Sequence, residues 1–142
     1  MLKGINPLLN ADVLHVLRAM GHGDDLIIAD TNFPSDSVAR QTIYGKLLRI
    51  DASAADVVQA VLSVMPIDTF VDDAAARMEV VDEPKTILPV MTEVQNKVSA
   101  VDGPIPCCQL SVFLSMIGPR KPTQLFRLAS VDFMAVLLFE KA

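Results

Sequence analysis

A histidine and an aspartate bracket one short apolar run. His22, in Met20-Gly21-His22-Gly23-Asp24, precedes Leu26-Ile27-Ile28-Ala29, and Asp30 follows it in Asp30-Thr31-Asn32-Phe33-Pro34. Imidazole is the side chain best suited to moving protons near neutral pH. A carboxylate can accept hydrogen bonds from two hydroxyl groups. The pair suits general acid–base work on a small polar ligand, and a strand this short is expected to project both groups into one cavity. Asp30 also falls at the carboxyl end of that strand, where α/β sheets usually place ligands. On spacing alone, bland roles stay open. His22 can satisfy carbonyls at a helix end, and Asp30 can cap the turn that follows it.

Other chemistry-bearing residues carry weaker patterns. Asp24 and Asp25 read as a solvated turn, and His15, between Leu14 and Val16, as a half-exposed structural residue. Lys3 and Arg49 read as surface charge. Cys107 and Cys108, the only cysteines, are adjacent; they make no disulfide framework and complete no metal-ligand set, so they read as two reduced thiols. There is no phosphate-binding glycine loop and no nucleophile elbow.

The elements that must hold the pair in place follow from periodicity. Asn10 can cap a helix with Asp12 in its first turn and an apolar face of Val13, Val16, Leu17 and Met20. Gly21 is expected to stop it in the left-handed conformation. Leu26 to Ala29 suits a strand buried on both faces of a parallel sheet. Thr31 to Ser37 reads as a loop and Lys46 to Ile50 as a second strand. Ser53-Ala54-Ala55-Asp56 resembles a capping box, opening a helix whose inward face is Val57, Val58, Val61, Val64 and Met65, ended by Pro66. Thr69 to Val71 and Met78 to Val81 read as strands, Asp82-Glu83-Pro84 as a turn. A further helix covers Val90 to Val98 with Val90, Met91, Val94 and Val98 inward. Alternating strands and helices indicate an α/β layered fold, a sheet flanked by helices, in one domain over residues 1–142.

Composition narrows the partners. Of 142 residues, 51% are apolar and 5% aromatic, and mean hydropathy is +0.41. A small monomer has limited interior, so subunit interfaces are a natural second place for aliphatic side chains, which favours a homo-oligomer. Net charge is −5 without a basic patch, which disfavours nucleic acid. The longest apolar run, Phe133 to Phe139, is far short of the ~20 residues of a bilayer span. With no signal-like N-terminal segment, a cytoplasmic location is expected.

Met1-Leu2-Lys3-Gly4-Ile5 through Pro7-Leu8-Leu9, then Val16-Leu17-Arg18-Ala19-Met20-Gly21-His22-Gly23-Asp24 and Asp30-Thr31-Asn32-Phe33-Pro34, resembles the RbsD/FucU family of sugar mutarotases. The Gly-His-Gly-Asp form, with Phe33-Pro34 after the aspartate, looks like its L-fucose mutarotase (FucU) branch. The resemblance is strong to about residue 37 and collinear to about Pro106. It implies a ring-like homo-oligomer, a decamer, with sites at subunit boundaries, and no metal or organic cofactor. It implies that His22 is the catalytic acid/base and that Asp30 holds sugar hydroxyls. Asn32 stands where that branch often has His. The implied activity is interconversion of the α and β anomers of a pyranose, L-fucose foremost. The alternatives are a D-ribose pyranase-type mutarotase and a non-catalytic monosaccharide-binding oligomer.

The C-terminal third departs from the family, which ends in a Phe-Tyr-Asp/Glu-Arg helix, a Thr-Gly-Glu turn and a Tyr-Gly-Asn-type strand closing in Lys-Gly. New codons built from the third base of each codon and the first two of the next restore much of this pattern. Met116 with Ile117 must then encode Asp, and Met134 with Ala135 must encode Gly. Arg127 through Ser130 can encode Thr-Gly-Glu, and Glu140 through Ala142 Lys-Gly. Residues from about Cys107 onward are therefore expected to be a frameshifted reading of the family C-terminus.

Overall fold

The computed structural model describes residues 2–22, 24–67, 74–80, 82–102, 108–110, 124–128 and 137–140. Its elements run α1 (Ala11–Ala19), β1 (Asp25–Ala29), α2 (Ser35–Ala39), β2 (Leu48–Ile50), α3 (Ala54–Leu62), β3 (Ala75–Met78), α4 (Pro89–Asp102), β4 (Cys108–Leu110), β5 (Gln124–Leu128) and β6 (Leu137–Glu140). The six strands of the described residues form one sheet in the order β2-β5-β1-β6-β3-β4. Pairing is parallel except where β6 runs antiparallel between β1 and β3. The sheet is therefore mixed, and the other five strands all end on one edge.

Alternation along β1 shows how the layers form. Leu26 and Ile28 join the larger core with Val13, Val16, Leu17, Val57, Val58, Val61, Val94 and Val98 from α1, α3 and α4. Ile27 and Ala29 point the other way, into a smaller cluster with Phe33, Val38, Ala39 and Met78. Both faces of β1 are thus covered, as its unbroken apolar run predicts. Among the described residues the cover is unequal: three helices lie on one face and the short α2 on the other.

Local chemistry sets the helix starts. The Asn10 side chain accepts from the Val13 amide at 3.0 Å and caps α1. At α3 the Ser53 hydroxyl accepts from the Asp56 amide at 3.2 Å and donates to the Asp56 carboxylate at 2.7 Å. The aspartate is one methylene too short for the usual return bond to the cap's own amide, so it binds the hydroxyl instead.

Several expectations are corrected. Gly21 is not left-handed; α1 ends because Met20 swings to φ −59°, ψ 140°, while its amide still bonds Val16 O. The segment expected to be a loop to Ser37 turns into α2 at Ser35, since Ser-Asp-Ser is also the composition of a helix's first turn. The second strand begins at Leu48, two residues later than expected. Helix α3 stops at Leu62, ahead of Pro66, and Val64 is 38% exposed instead of inward. The strand expected at Met78 to Val81 lies at Ala75–Met78. Beyond it, Val80 bridges to Glu83 around Asp82, whose φ is 64°. Small alanines carry little hydrophobic signal, yet they fill a strand that has a neighbour on each side. The strand expected at Thr69 to Val71 lies outside the described residues, as do Cys107 and most of the C-terminal third.

Candidate functional site

Asp30 follows β1 immediately and is 3% exposed. Its Oδ1 accepts from the amides of Asn32 and Phe33, both at 2.9 Å. This folds the chain back over the strand end and delivers Phe33 to the smaller core. Asp30 thus does cap its turn, with one oxygen only. Its Oδ2 is sealed from solvent and has no hydrogen-bond partner among the described residues. A carboxylate oxygen buried without a donor is costly, and such an atom calls for a water, an ion or a ligand to supply the missing bond. A sugar hydroxyl is a donor of the right kind.

His22 lies at the other end of β1, exposed on the turn between α1 and the strand. The half-buried Asp24 closes that turn: its Oδ2 accepts from the Gly21 amide at 2.7 Å, and its own amide donates to Gly21 O at 3.2 Å. The acidic residue beside His22 is a turn lock. A hollow of about 230 Å³ abuts this turn, lined by His15, Val16, Ala19, Met20, Asp24, Ile43 and Tyr44. His15 is exposed there, its ring 6.5 Å from that of Tyr44.

The strand separates the two principal residues within one chain. Five residue steps from Asp25 to Asp30, at ~3.3 Å each, put about 16 Å between the two edges of the sheet. His22 lies beyond the near edge. Adjacency in sequence around a short strand is thus the opposite of adjacency in space.

Sequence reasoning missed Arg77. It sits in β3 and is 7% exposed. The available signal was a basic residue inside Ala74-Ala75-Ala76-Arg77-Met78, hidden because the strand was expected to begin at Met78. Arg49, by contrast, is exposed on β2, consistent with surface charge. Asn32 is exposed beside Asp30.

Comparison with known proteins places the chain as a whole. The family model described as RbsD / FucU transport protein family matches residues 3–112. The fucose mutarotase of Homo sapiens is 38% identical over 100 residues, covering 67% of this chain and 63% of that protein. The chain therefore spans under two thirds of that relative's length. The crystal structure of protein Atu2016, a proposed sugar binding protein, is 46% identical. It superposes at a TM-score of 0.94, covering 100% of this chain and 95% of that one. FucU from Bifidobacterium longum is 29% identical at a TM-score of 0.87, covering 99% and 98% of the two chains. A family match over residues 3–112 and full-length superposition on these structures lead to one conclusion: the chain belongs to the RbsD / FucU transport protein family.

Proposed function

We propose that this protein is a cofactor-independent sugar mutarotase that interconverts the anomers of a pyranose, L-fucose first among candidates. The observation that carries the reading is Asp30: a buried carboxylate at the carboxyl edge of the sheet with one oxygen lacking a donor among the described residues. The fucose mutarotase named among its relatives supports the substrate. In the reaction, the anomeric hydroxyl loses its proton and the ring oxygen gains one. The C1–O5 bond breaks to the aldehyde, the carbonyl turns, and the ring closes on the other face. The His22 imidazole takes the first proton and returns one, so charge balances without a covalent intermediate. Asp30 accepts from sugar hydroxyls and holds the ring.

Because β1 sets His22 and Asp30 on opposite edges, the site is read as composite. His22 of one subunit meets Asp30 of another at a subunit boundary of a ring-like homo-oligomer, a decamer. The exposed Ile43 and Ile87 support such packing. A cytoplasmic location goes with the two unframed cysteines.

Exchange NMR on equilibrated anomers of L-fucose and D-ribose tests the activity. The protein is expected to accelerate exchange, and His22→Asn to reduce the acceleration by roughly 10²–10⁴-fold. Acceleration of D-ribose alone assigns the pyranase-type substrate. Sugar binding without acceleration overturns the enzyme in favour of a non-catalytic binding oligomer.

The C-terminal reading is part of the same proposal. The family match stops at residue 112, close to Cys107, where the frameshifted segment is expected to begin. The gene sequence tests it: a shifted frame that meets a stop codon before the Lys-Gly end rules it out.

A further inference from the structure

We propose that the hollow beside His22 is the apolar subsite for the sugar, and that the Tyr44 ring is the platform on which the sugar's C–H face lies; the inference rests on the mutarotase reading above and deepens it. Val16, Ala19 and the helix-end Met20 form one wall of the hollow, Ile43 and Tyr44 the other. Its volume of about 230 Å³ is small beside the roughly 300–1,000 Å³ of pockets that take drug-sized ligands, and it suits a single monosaccharide ring. Its position ties it to the chemistry. Met20 and Asp24 lie two residues to either side of His22, and the 2.7 Å bond from the Gly21 amide to Asp24 Oδ2 draws the turn closed between them. The exposed His22 therefore stands at the mouth of the hollow. From His15 to Met20, five residues at a helical rise of ~1.5 Å give the hollow a length of about 7.5 Å, the scale of one pyranose with its hydroxyls.

Local structure holds the ring in place. Thr42 is buried, and its hydroxyl donates to Ala39 O at 2.7 Å and accepts from the Gly45 amide at 3.1 Å. Gly45 takes φ +72°, which glycine adopts without a Cβ penalty. Thr42 and Gly45 thus pin the two ends of a turn that presents Ile43 and Tyr44 to α1. Tyr44 packs against the larger core and stays half-buried, with part of its ring left to the hollow. In a galacto-configured pyranose the axial 4-hydroxyl leaves the opposite face to the C–H bonds of C3, C4 and C5. Their slightly positive hydrogens meet the negative face of an aromatic ring. L-Fucose adds a methyl at C5, which the aliphatic side chains of Val16, Met20 and Ile43 take out of water. The exposed His15 imidazole, its ring 6.5 Å from that of Tyr44, is a hydrogen-bonding group for a hydroxyl at the sugar's edge. The anomeric end then projects toward His22 at the mouth.

Tyr44 is the chain's only tyrosine and there is no tryptophan, so tyrosine fluorescence reports this ring alone. Titrating the oligomeric protein with L-fucose is expected to change Tyr44 emission along the binding curve that saturation-transfer NMR gives. Irradiating the tyrosine ring protons should transfer saturation to H3, H4, H5 and the methyl of the sugar. D-Arabinose, whose pyranose is that of L-fucose without the methyl, should bind at least about fourfold more weakly. Tyr44→Leu should lose roughly three- to tenfold in L-fucose affinity, and Tyr44→Phe, which restores the ring, should recover it. If Tyr44→Leu does not fold, the wild-type emission and transfer pattern decide. L-Fucose binding that leaves Tyr44 emission unchanged overturns the proposal. So does emission that follows protein concentration and not sugar, which assigns the hollow to a contact between subunits. Anomer exchange is recorded on the same samples. Accelerated exchange without a Tyr44 response overturns the subsite and leaves the mutarotase reading standing; a Tyr44 response without acceleration does the reverse.

Discussion

One oxygen of Asp30 shapes the protein and the other faces the proposed ligand. The two oxygens predict different phenotypes for two substitutions. Asp30→Ala removes both amide acceptors and should cost about 1–3 kcal/mol of stability, measured by denaturant unfolding. Asp30→Asn keeps a carbonyl for the Asn32 and Phe33 amides but replaces the unpaired oxygen with a donor. It should unfold within about 1 kcal/mol of wild type yet lose roughly tenfold or more in sugar affinity by saturation transfer. At the other end of the strand, Asp24→Ala frees the turn that carries His22. It should slow anomer exchange while changing stability by less than about 1 kcal/mol, since the bond lies in a partly solvated turn. An Asp24→Ala variant with unchanged exchange would separate the turn from the chemistry. Residue types made Asp30 and His22 candidates. Which oxygen of Asp30 was already engaged depended on the conformation of the following loop.

At the scale of elements, the starts were more legible than the stops. Asn10 and Ser53 cap α1 and α3 with bonds that involve only near neighbours, so the sequence shows them directly. Asn10→Ala and Ser53→Ala are each expected to destabilise by about 1 kcal/mol in thermal or denaturant unfolding. The buried faces of α1 and α4 were readable because a 3.6-residue period survives any tertiary context. Stops depend on what comes next in space. Met20 leaves α1 through its own dihedrals, and Val64 is exposed because α3 ends ahead of Pro66. Strand β3 was displaced because its alanines give no amphipathic signal and gain their burial from neighbouring strands. The central strand has the opposite character. Ile28 is fully buried in the larger core, and Ile28→Ala should cost about 2–5 kcal/mol. A smaller loss in denaturant unfolding would mean that the core under α1 and α3 collapses around the void.

For the whole molecule, strand order governs what the local elements can do together. Strand β6 brings β1 and β3 to matched register although Ile28 and Arg77 are far apart in sequence. The same sheet holds His22 and Asp30 apart, and this yields a test of the composite site. His22→Asn and Asp30→Asn proteins should each be impaired as homo-oligomers, the first in exchange rate and the second in sugar affinity. Refolded together, they should regain activity at about one site in four under random pairing. Absence of recovery in mixed oligomers, verified by light scattering and mass spectrometry, would place the whole site in one chain.

The chain's own letters determined the helix caps, the apolar faces, the doubly buried first strand, and a histidine and an aspartate suited to proton transfer and hydroxyl binding. These features depend on side-chain chemistry and on contacts within a turn or two. Tertiary structure alone decided that the two residues stand at opposite edges of the sheet, that one oxygen of Asp30 is sealed without a partner among the described residues, and that Arg77 is buried in β3. Each of these depends on how strands distant in sequence align, and no local period records that alignment.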